Sequence, residues 1–227
     1  MPVFRNAVVV GASGGIGAAM AERLEARGAR VACLGRGSEP RLELTDEASI
    51  TAAASSLADR APFDLIFIAT GILSAGGKGP EKNLRQLEPD QLSRIMAVNA
   101  IGPALVMKHF RDLMPRDGRA VMAALSARVG SIADNGLGGW YGYRASKAAL
   151  NQFVRTAAIE ITRKRPEAVV LALHPGTVET RLSENFTTGR RTFTPEESAR
   201  RLLDVMENAG PEMSGGFLDH AGKPIPF

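Results

Sequence analysis

A doubly wound α/β sheet is what this 227-residue sequence predicts, and three observations predict it. Short, apolar, largely β-branched runs alternate with longer stretches of helical composition along the whole chain. The first run, Ala7-Val8-Val9-Val10, is apolar on both faces, the pattern of a parallel strand covered by helices on both sides. The first run is followed at once by a glycine-rich turn and a helix, the order in which a dinucleotide-binding loop is built. The expected architecture is three layers, with helices on both faces of a parallel sheet, in one Rossmann-like domain over residues 1–227 without repeat or linker.

The first strand is Ala7-Val8-Val9-Val10. Gly11-Ala12-Ser13-Gly14-Gly15-Ile16-Gly17 follows, then a helix from Ala18 to Arg27 closed by Gly28. Four glycines in seven residues exceed what a plain turn needs. They let the backbone approach a pyrophosphate, while the helix N-terminus offers oriented N–H groups. The second strand, Arg30 to Leu34, ends at Gly35-Arg36. An acid there would hold a ribose 2′-hydroxyl, whereas an Arg accommodates a 2′-phosphate. Arg36 therefore predicts NADP(H) over NAD(H). Arg41 to Leu44 reads as a short third strand, and Thr45-Asp46-Glu47 as the cap and first turn of a helix reaching about Arg60.

Asp64 to Ile68 is the next strand, ending at Ala69-Thr70-Gly71, and residues 74–83 form a Gly-, Lys- and Pro-rich loop. Pro89 to Met114 reads as a long helix interrupted by Pro103, which cannot donate to the Asn99 carbonyl. A kink there frees that carbonyl for a water. Arg119 to Leu125 is a strand, and Ser126-Ala127-Arg128-Val129-Gly130-Ser131 leaves its C-terminal end, where ligands of such sheets bind. A helix runs from about Trp140 to Arg163 and stops near Pro166. The strand Ala168 to Leu173 leads into His174-Pro175-Gly176-Thr177-Val178-Glu179-Thr180. Thr194-Pro195-Glu196-Glu197 combines an N-cap, a first-position Pro and a third-position Glu, opening a helix to about Glu207. Gly216 to Asp219 is the last strand.

Charge and composition exclude other classes. Net charge is +4, but the basic residues are scattered and aromatics are 5%, too few for a base-stacking surface. Nucleic acid is therefore not an expected partner. The longest apolar run, Leu65 to Leu73, is broken by Thr70 and Gly71 and falls short of a membrane span. No signal peptide is read at Met1 to Ala12, and the single cysteine, Cys33, can form no internal disulfide. A cytoplasmic location is expected, with Cys33 as a small buried hydrophobe.

Tyr143 and Lys147 stand four apart and share a helix face. An ammonium beside a phenol favours its ionised form and lowers its pKa from about 10. Such a Tyr can act as general acid or base near neutral pH.

With these residues in place, the whole chain resembles the short-chain dehydrogenase/reductase family. The resemblance rests on Gly11-x-x-x-Gly15-Ile16-Gly17, Asn99, Tyr143-x-x-Ser146-Lys147 and Pro175-Gly176-x-Val178-x-Thr180, in the family's order. Ser126-Ala127-Arg128-Val129-Gly130-Ser131, Gly139-Trp140-Tyr141 and Leu218-Asp219-His220-Ala221-Gly222 resemble its C-factor-type, cell–cell signalling branch. The resemblance implies hydride transfer between NADP(H) and a carbonyl or alcohol. It makes Tyr143 the acid that protonates the carbonyl oxygen, Lys147 the group that lowers the Tyr143 pKa and binds the nicotinamide ribose, and Asn99 the anchor of a relay water. Gly11, Ser13, Gly14, Gly15, Ile16 and Gly17 would hold the pyrophosphate region. Leu44, Ala69, Gly71, Pro175 and Gly176 would line the cofactor, while Val178 and Thr180 orient its carboxamide. Homodimers or homotetramers are expected from the family.

Three departures stand out. Ile68-Ala69-Thr70-Gly71 replaces the family's Asn-Asn-Ala-Gly. Ser126-Ala127 replaces a Ser-Ser pair whose second member polarises the substrate. Ser126 is the expected substitute, Ser131 is the alternative, and weakened polarisation is the third outcome. The segment after Thr180, which covers the substrate in the family, is short, and an open or mobile lid is expected around residues 181–194, with Arg181, Phe186, Arg190, Arg191 and Phe193 on it. The competing function is a nucleotide-binding signalling or scaffold protein with little turnover.

Overall fold

The computed structural model describes residues 3–77, 79–180, 182 and 192–227. Six strands form one sheet in the order β2-β1-β3-β4-β5-β6, every pair parallel. The strands are β1 (Asn6–Val10), β2 (Arg30–Leu34), β3 (Leu65–Ile68), β4 (Ala120–Leu125), β5 (Ala168–His174) and β6 (Phe217–Asp219). The helices are α1 (Gly15–Ala26), α2 (Glu47–Ser56), α3 (Pro89–Met96), α4 (Gly102–Phe110), α5 (Tyr141–Thr162) and α6 (Pro195–Asn208).

The strand pattern builds two cores. Val8, Ile66, Met122 and Val170 are neighbours in register and face one side, packed with residues of α2, α4 and α5. Ala7, Leu65, Val121 and Val169 face the other, packed with α1 and α6. Each inner strand is thus buried on both faces, which is why its sequence is uniformly apolar. The strand order reverses between β1 and β3. A crevice opens beyond the C-terminal ends of strands at such a point, and the site grows there. Among the described residues no helix is long and apolar enough to cross a membrane.

Several expectations are corrected. Arg41 to Leu44 is not a strand; only Arg41 makes a single bridge, to Gly35. Its backbone is spent locally: the Glu43 N–H donates to Ser49 Oγ, and the Asp46 N–H donates to the Glu43 carbonyl in the turn before α2. The long Pro89–Met114 helix is two helices joined by a π-helical turn, Ala97–Ile101. The missing N–H of Pro103 is accommodated by this widened turn. Cys33 is exposed, because β2 is an edge strand whose outer positions face solvent. The expected lid lies largely outside the described residues, Arg181, Phe186, Arg190 and Arg191 among them. Its flanks are held: Phe193 donates to the Thr177 carbonyl, and Glu179 donates to the Phe193 carbonyl.

Candidate active site

The glycine turn is shaped by contacts that no side chain would permit. Gly11 has φ of 89° and donates its N–H to the Leu34 carbonyl at 2.8 Å. A Cβ on it would lie 2.7 Å from the Ala69 carbonyl oxygen at the end of β3. A Cβ on Gly17 would overlap the Gly11 carbonyl. The turn is therefore folded tightly over the β1/β3 crevice, and Gly15, Ile16 and Gly17 form the first turn of α1 rather than preceding it. Gly14 is the N-cap; it supplies no side-chain cap, and the first turn holds no acid. The helix N–H groups are thus left for an anion. Ser13 and Gly14 are exposed at this mouth. Ser13 Oγ lies 4.0 Å from where a Gly35 Cβ would stand, so it faces the end of β2, where exposed Arg36 follows.

Leu44 is placed otherwise than a lining side chain. It is buried in the core, and a Cβ on Gly102 would lie 2.6 Å from its own. Gly71 stands on the site's floor: its Cβ would meet Lys147 Nζ at 3.2 Å and Asn99 Oδ1 at 3.4 Å. Asn99, in the π turn, is fully buried, and its side chain grips the strand-end loop in both directions. Oδ1 accepts from the Ile72 N–H and Nδ2 donates to the Ile72 carbonyl, both at 2.8 Å. Nδ2 also donates to Ser146 Oγ at 3.1 Å, and Ser146 Oγ donates to the Tyr143 carbonyl. One chain of hydrogen bonds thus ties the β3 loop, the π turn and the Tyr143–Lys147 face of α5.

Tyr143 and Lys147 share that face as the spacing required, and both are buried. The electrostatics differ from expectation. Burial pushes the Tyr143 phenol up to about 12 and pushes the Lys147 ammonium down to about 7. Lys147 Nζ donates to the Leu125 carbonyl at 2.8 Å and stands 5.9 Å from the Tyr143 ring centre. Desolvation outweighs the attraction between them. The phenol therefore holds its proton at neutral pH, the form a general acid needs. The Lys147 shift carries a sign. The unfolded chain keeps a proton up to about pH 10.4 that the native state gives up near pH 7. Native stability from this group thus rises with pH between those values and is lowest below pH 7. Lys147→Met is expected to raise the melting temperature on the order of 5 °C more at pH 6 than at pH 9. Scanning calorimetry at the two pH values checks it, and an equal gain at both would remove the buried charge as its cause.

The cleft in front of Tyr143 has a volume of about 330 Å³ and opens to solvent. Leu73, Val129, Trp140 and Val178 give it apolar walls, with Ser126 and Thr180 among its polar ones. Ser126 is 3% exposed, and its hydroxyl donates to Asn151 Oδ1 at 2.6 Å. Asn151 Nδ2 in turn donates to the Gly130 carbonyl, which turns Oδ1 toward Ser126. As placed, the Ser126 proton points away from the cleft. Ser131 is buried, accepts from the Asp134 N–H at 3.1 Å, and is not part of the cleft wall. Gly176, at φ of 83°, turns the Pro175–Thr180 segment over the site; its Cβ would strike the Phe193 ring at 2.7 Å. Thr180 arrives beside Gly15, where the two segments meet across the crevice.

Sequence reasoning gave no role to His174, which ends β5 and lines the cleft. Burial and the nearby Arg128 depress its pKa to about 4, so it is neutral, and its Nδ1 is buried without a hydrogen-bond partner. Arg144 was also missed: it donates to the carbonyls of Val129, Gly138 and Gly139 and so fastens the cleft's outer loop.

Comparison with known proteins decides the family. The family model described as short chain dehydrogenase matches residues 5–191. The chain belongs to the short-chain dehydrogenase/reductase family. It is 32% identical over 227 residues to a 1-hydroxy-2-glutathionyl-2-methyl-3-butene dehydrogenase of Rhodococcus sp. (strain AD45), covering 95% of this chain and 96% of that one. It is 34% identical over 157 residues to C-signal of Myxococcus xanthus, covering 69% of this chain and 90% of that one. Among solved structures, an NADPH-bound carbonyl reductase from chicken fatty liver superposes with a TM-score of 0.86 at 26% identity, over 98% of this chain and 94% of that one. A short-chain dehydrogenase/reductase structure from Burkholderia multivorans with bound NADP gives 0.83 at 28%, over 99% and 100%. This short-chain dehydrogenase/reductase is accordingly an NAD(P)-dependent oxidoreductase. The glycine cradle, with no room for a Cβ at Gly11 or Gly17, and the bare N-terminus of α1 fit a dinucleotide.

Proposed function

We propose that this protein is an NADP-dependent carbonyl reductase, acting reversibly on a carbonyl or alcohol. The observation that carries the reading is the buried Asn99–Ser146–Tyr143–Lys147 array at the floor of an apolar cleft beside the glycine cradle. A bound nicotinamide supplies or accepts the hydride. Everything else is the work of this chain. Gly11 and Gly14, whose N–H groups are engaged within the turn, shape the cradle for the phosphates, and Ser13, Gly15, Ile16 and Gly17 face them with backbone N–H groups. Ala69, Gly71, Pro175 and Gly176 lie along the dinucleotide, and Leu44 contributes backbone only. Val178 and Thr180 orient the carboxamide. Tyr143 gives its proton to the carbonyl oxygen. Lys147 relays a proton back to Tyr143 and regains one from solvent by way of water held at the Asn99 carbonyl, and the segment around residues 181–194 serves as the substrate lid. Ser126 serves to hold Asn151 and the Gly130 turn, so polarisation falls to Tyr143 alone.

Arg36 and Ser13 at the end of β2 favour a 2′-phosphate. Arg36→Ala is expected to weaken NADPH binding roughly 10- to 100-fold, the loss of a charge-assisted contact. NADH binding should change less than about 3-fold. Fluorescence titration measures both, and parallel losses would take Arg36 out of the argument. The apolar cleft suits a substrate with a sizeable nonpolar body, in keeping with the alkenyl name carried by the Rhodococcus relative. Titration with NADPH followed by a carbonyl panel tests the whole reading; tight binding with no oxidation by any carbonyl would leave the scaffold role instead.

Two further parts belong to the proposal. The molecule is a homodimer or homotetramer, supported by Ile101, Phe153 and Ile159, exposed by 41–47% along the α4–α5 side; a monomer mass by light scattering would remove this. Its location is the cytoplasm, supported by a single, unpaired Cys33, and fractionation into an extracytoplasmic compartment would refute that.

A further inference from the structure

The N-terminus of α5 is the place where this fold carries strain. Among the described residues Trp140 is the sole non-glycine residue with positive φ, at 54° and ψ of 42°. A bulky residue in the left-handed region persists only where its surroundings hold it. Trp140 is the N-cap of α5, offers no side-chain cap, and no acid of the helix stands in its first turn. Tyr143 is the third residue of that helix. The first-turn N–H groups therefore need an acceptor from elsewhere.

Glu81 supplies it from 61 residues away in sequence. Its carbonyl accepts the Trp140 N–H, and its carboxylate Oε2 accepts the Gly142 N–H at 3.1 Å. Gly142 is buried, and a Cβ there would meet Glu81 Oε1 at 2.9 Å, Leu92 at 3.1 Å and Ile95 at 3.2 Å. Only glycine admits the carboxylate this closely. Glu81 is itself held by a tight turn: Lys82 N–H donates to Gln86 Oε1 and Arg85 N–H to Asn83 Oδ1. On the far side of Trp140, Arg144 grips the Gly138 and Gly139 carbonyls. The Trp140 ring then packs edge-on to Tyr143, with centroids 6.2 Å apart.

We propose that Glu81 is a positioning residue for Tyr143. It caps the catalytic helix through Gly142, holds Trp140 in its strained conformation, and so fixes the phenol against the cleft. The proposal rests on the reductase reading for its kinetic consequence and not for the cap itself. A carboxylate at a helix N-terminus also complements the helix dipole.

The test compares Glu81→Ala, which removes the acceptor, with Glu81→Gln, which keeps an oxygen for the Gly142 N–H. Four quantities are read in the full-length protein: kcat and KM with a carbonyl that the unmodified protein reduces, NADPH affinity, and amide hydrogen exchange of a peptide spanning residues 140–147. Expected for Glu81→Ala is a kcat loss of roughly 10-fold, since small misplacements of a reacting group are costly. KM and NADPH affinity should stay within about 2-fold, while exchange at the start of α5 rises by about the 5-fold that loss of a ~1 kcal/mol cap implies. Glu81→Gln should restore both kcat and protection. Unchanged kcat with faster exchange would reduce Glu81 to a structural cap and overturn the proposal. A joint fall of kcat and NADPH affinity, with no recovery in Glu81→Gln, would overturn it as well. Absence of turnover in the unmodified protein would instead sink the reductase reading and the kinetic half of this inference with it, while exchange still decides the cap.

Discussion

Tyr143→Phe is expected to lower kcat by about 10³-fold, the upper part of what a positioned general acid contributes, while NADPH affinity changes less than about 2-fold. The variant removes one oxygen and nothing else. The ring stays buried with Leu73 and Ile95 and edge-on to Trp140. The Ser146-to-Tyr143 bond uses the backbone carbonyl, so the Asn99–Ser146 link survives the substitution. Stopped-flow reduction of a carbonyl substrate beside a cofactor titration separates the two quantities. Turnover within about 10-fold of the parent would assign the proton transfer elsewhere. Ser126→Ala provides the contrast. If the hydroxyl were the donor to the carbonyl, its loss would cost about 10²- to 10³-fold. With its proton on Asn151 Oδ1, a change below about 3-fold is expected, within the ~1 kcal/mol of an ordinary hydrogen bond.

Gly17→Ala is expected to have the second large effect, on both binding and stability. The new methyl group would overlap the Gly11 carbonyl oxygen, and the Gly11 carbon would lie 2.9 Å away. Neither can easily retreat, because the Gly11 N–H is fastened to the Leu34 carbonyl and the space beside Gly11 is too tight even for a Cβ, which would lie 2.7 Å from the Ala69 carbonyl oxygen. α1 must therefore tilt away from the end of β1. Forcing a methyl into a packed site costs roughly 1–3 kcal/mol, and the displaced helix N–H groups should lower NADPH affinity at least about 100-fold. Thermal unfolding and cofactor titration read the two consequences. Gly28→Ala is the control for the glycine effect in general, since nothing lies within 4 Å of a Cβ at Gly28 and only its φ of 87° opposes the change. A Gly17→Ala protein that binds NADPH as the parent does would mean that the tight turn is dispensable.

What could be read from the sequence follows the range of the interactions. The glycine turn was legible because its chemistry is backbone chemistry, complete within seven residues. Tyr143 and Lys147 were legible because a helix fixes spacing four residues apart. Arg41 to Leu44 misled because a strand is defined by its partner: Leu42 and Leu44 are apolar for the sake of the core, and the backbone between them bonds into a turn and a helix cap. The proton of Ser126 was illegible since Asn151, 25 residues on, decides its direction. The Tyr143 pKa went the other way because spacing reports a neighbour and not how deeply both groups are buried. Glu81 carried no local signature at all, its partners lying on the far side of a sheet crossing.

The position of Trp140 has a practical consequence. It is the one tryptophan of the chain, and it forms part of the cleft wall within ring contact of Tyr143. The indole emission of the protein therefore comes from a single side chain placed in the wall of the cleft. Reduced nicotinamide absorbs in the range where indole emits, so cofactor arrival should register as energy transfer from this one donor. Emission wavelength and lifetime would report on substrate and on the first turn of α5 separately from the cofactor, and no dye or engineered label is needed to follow them.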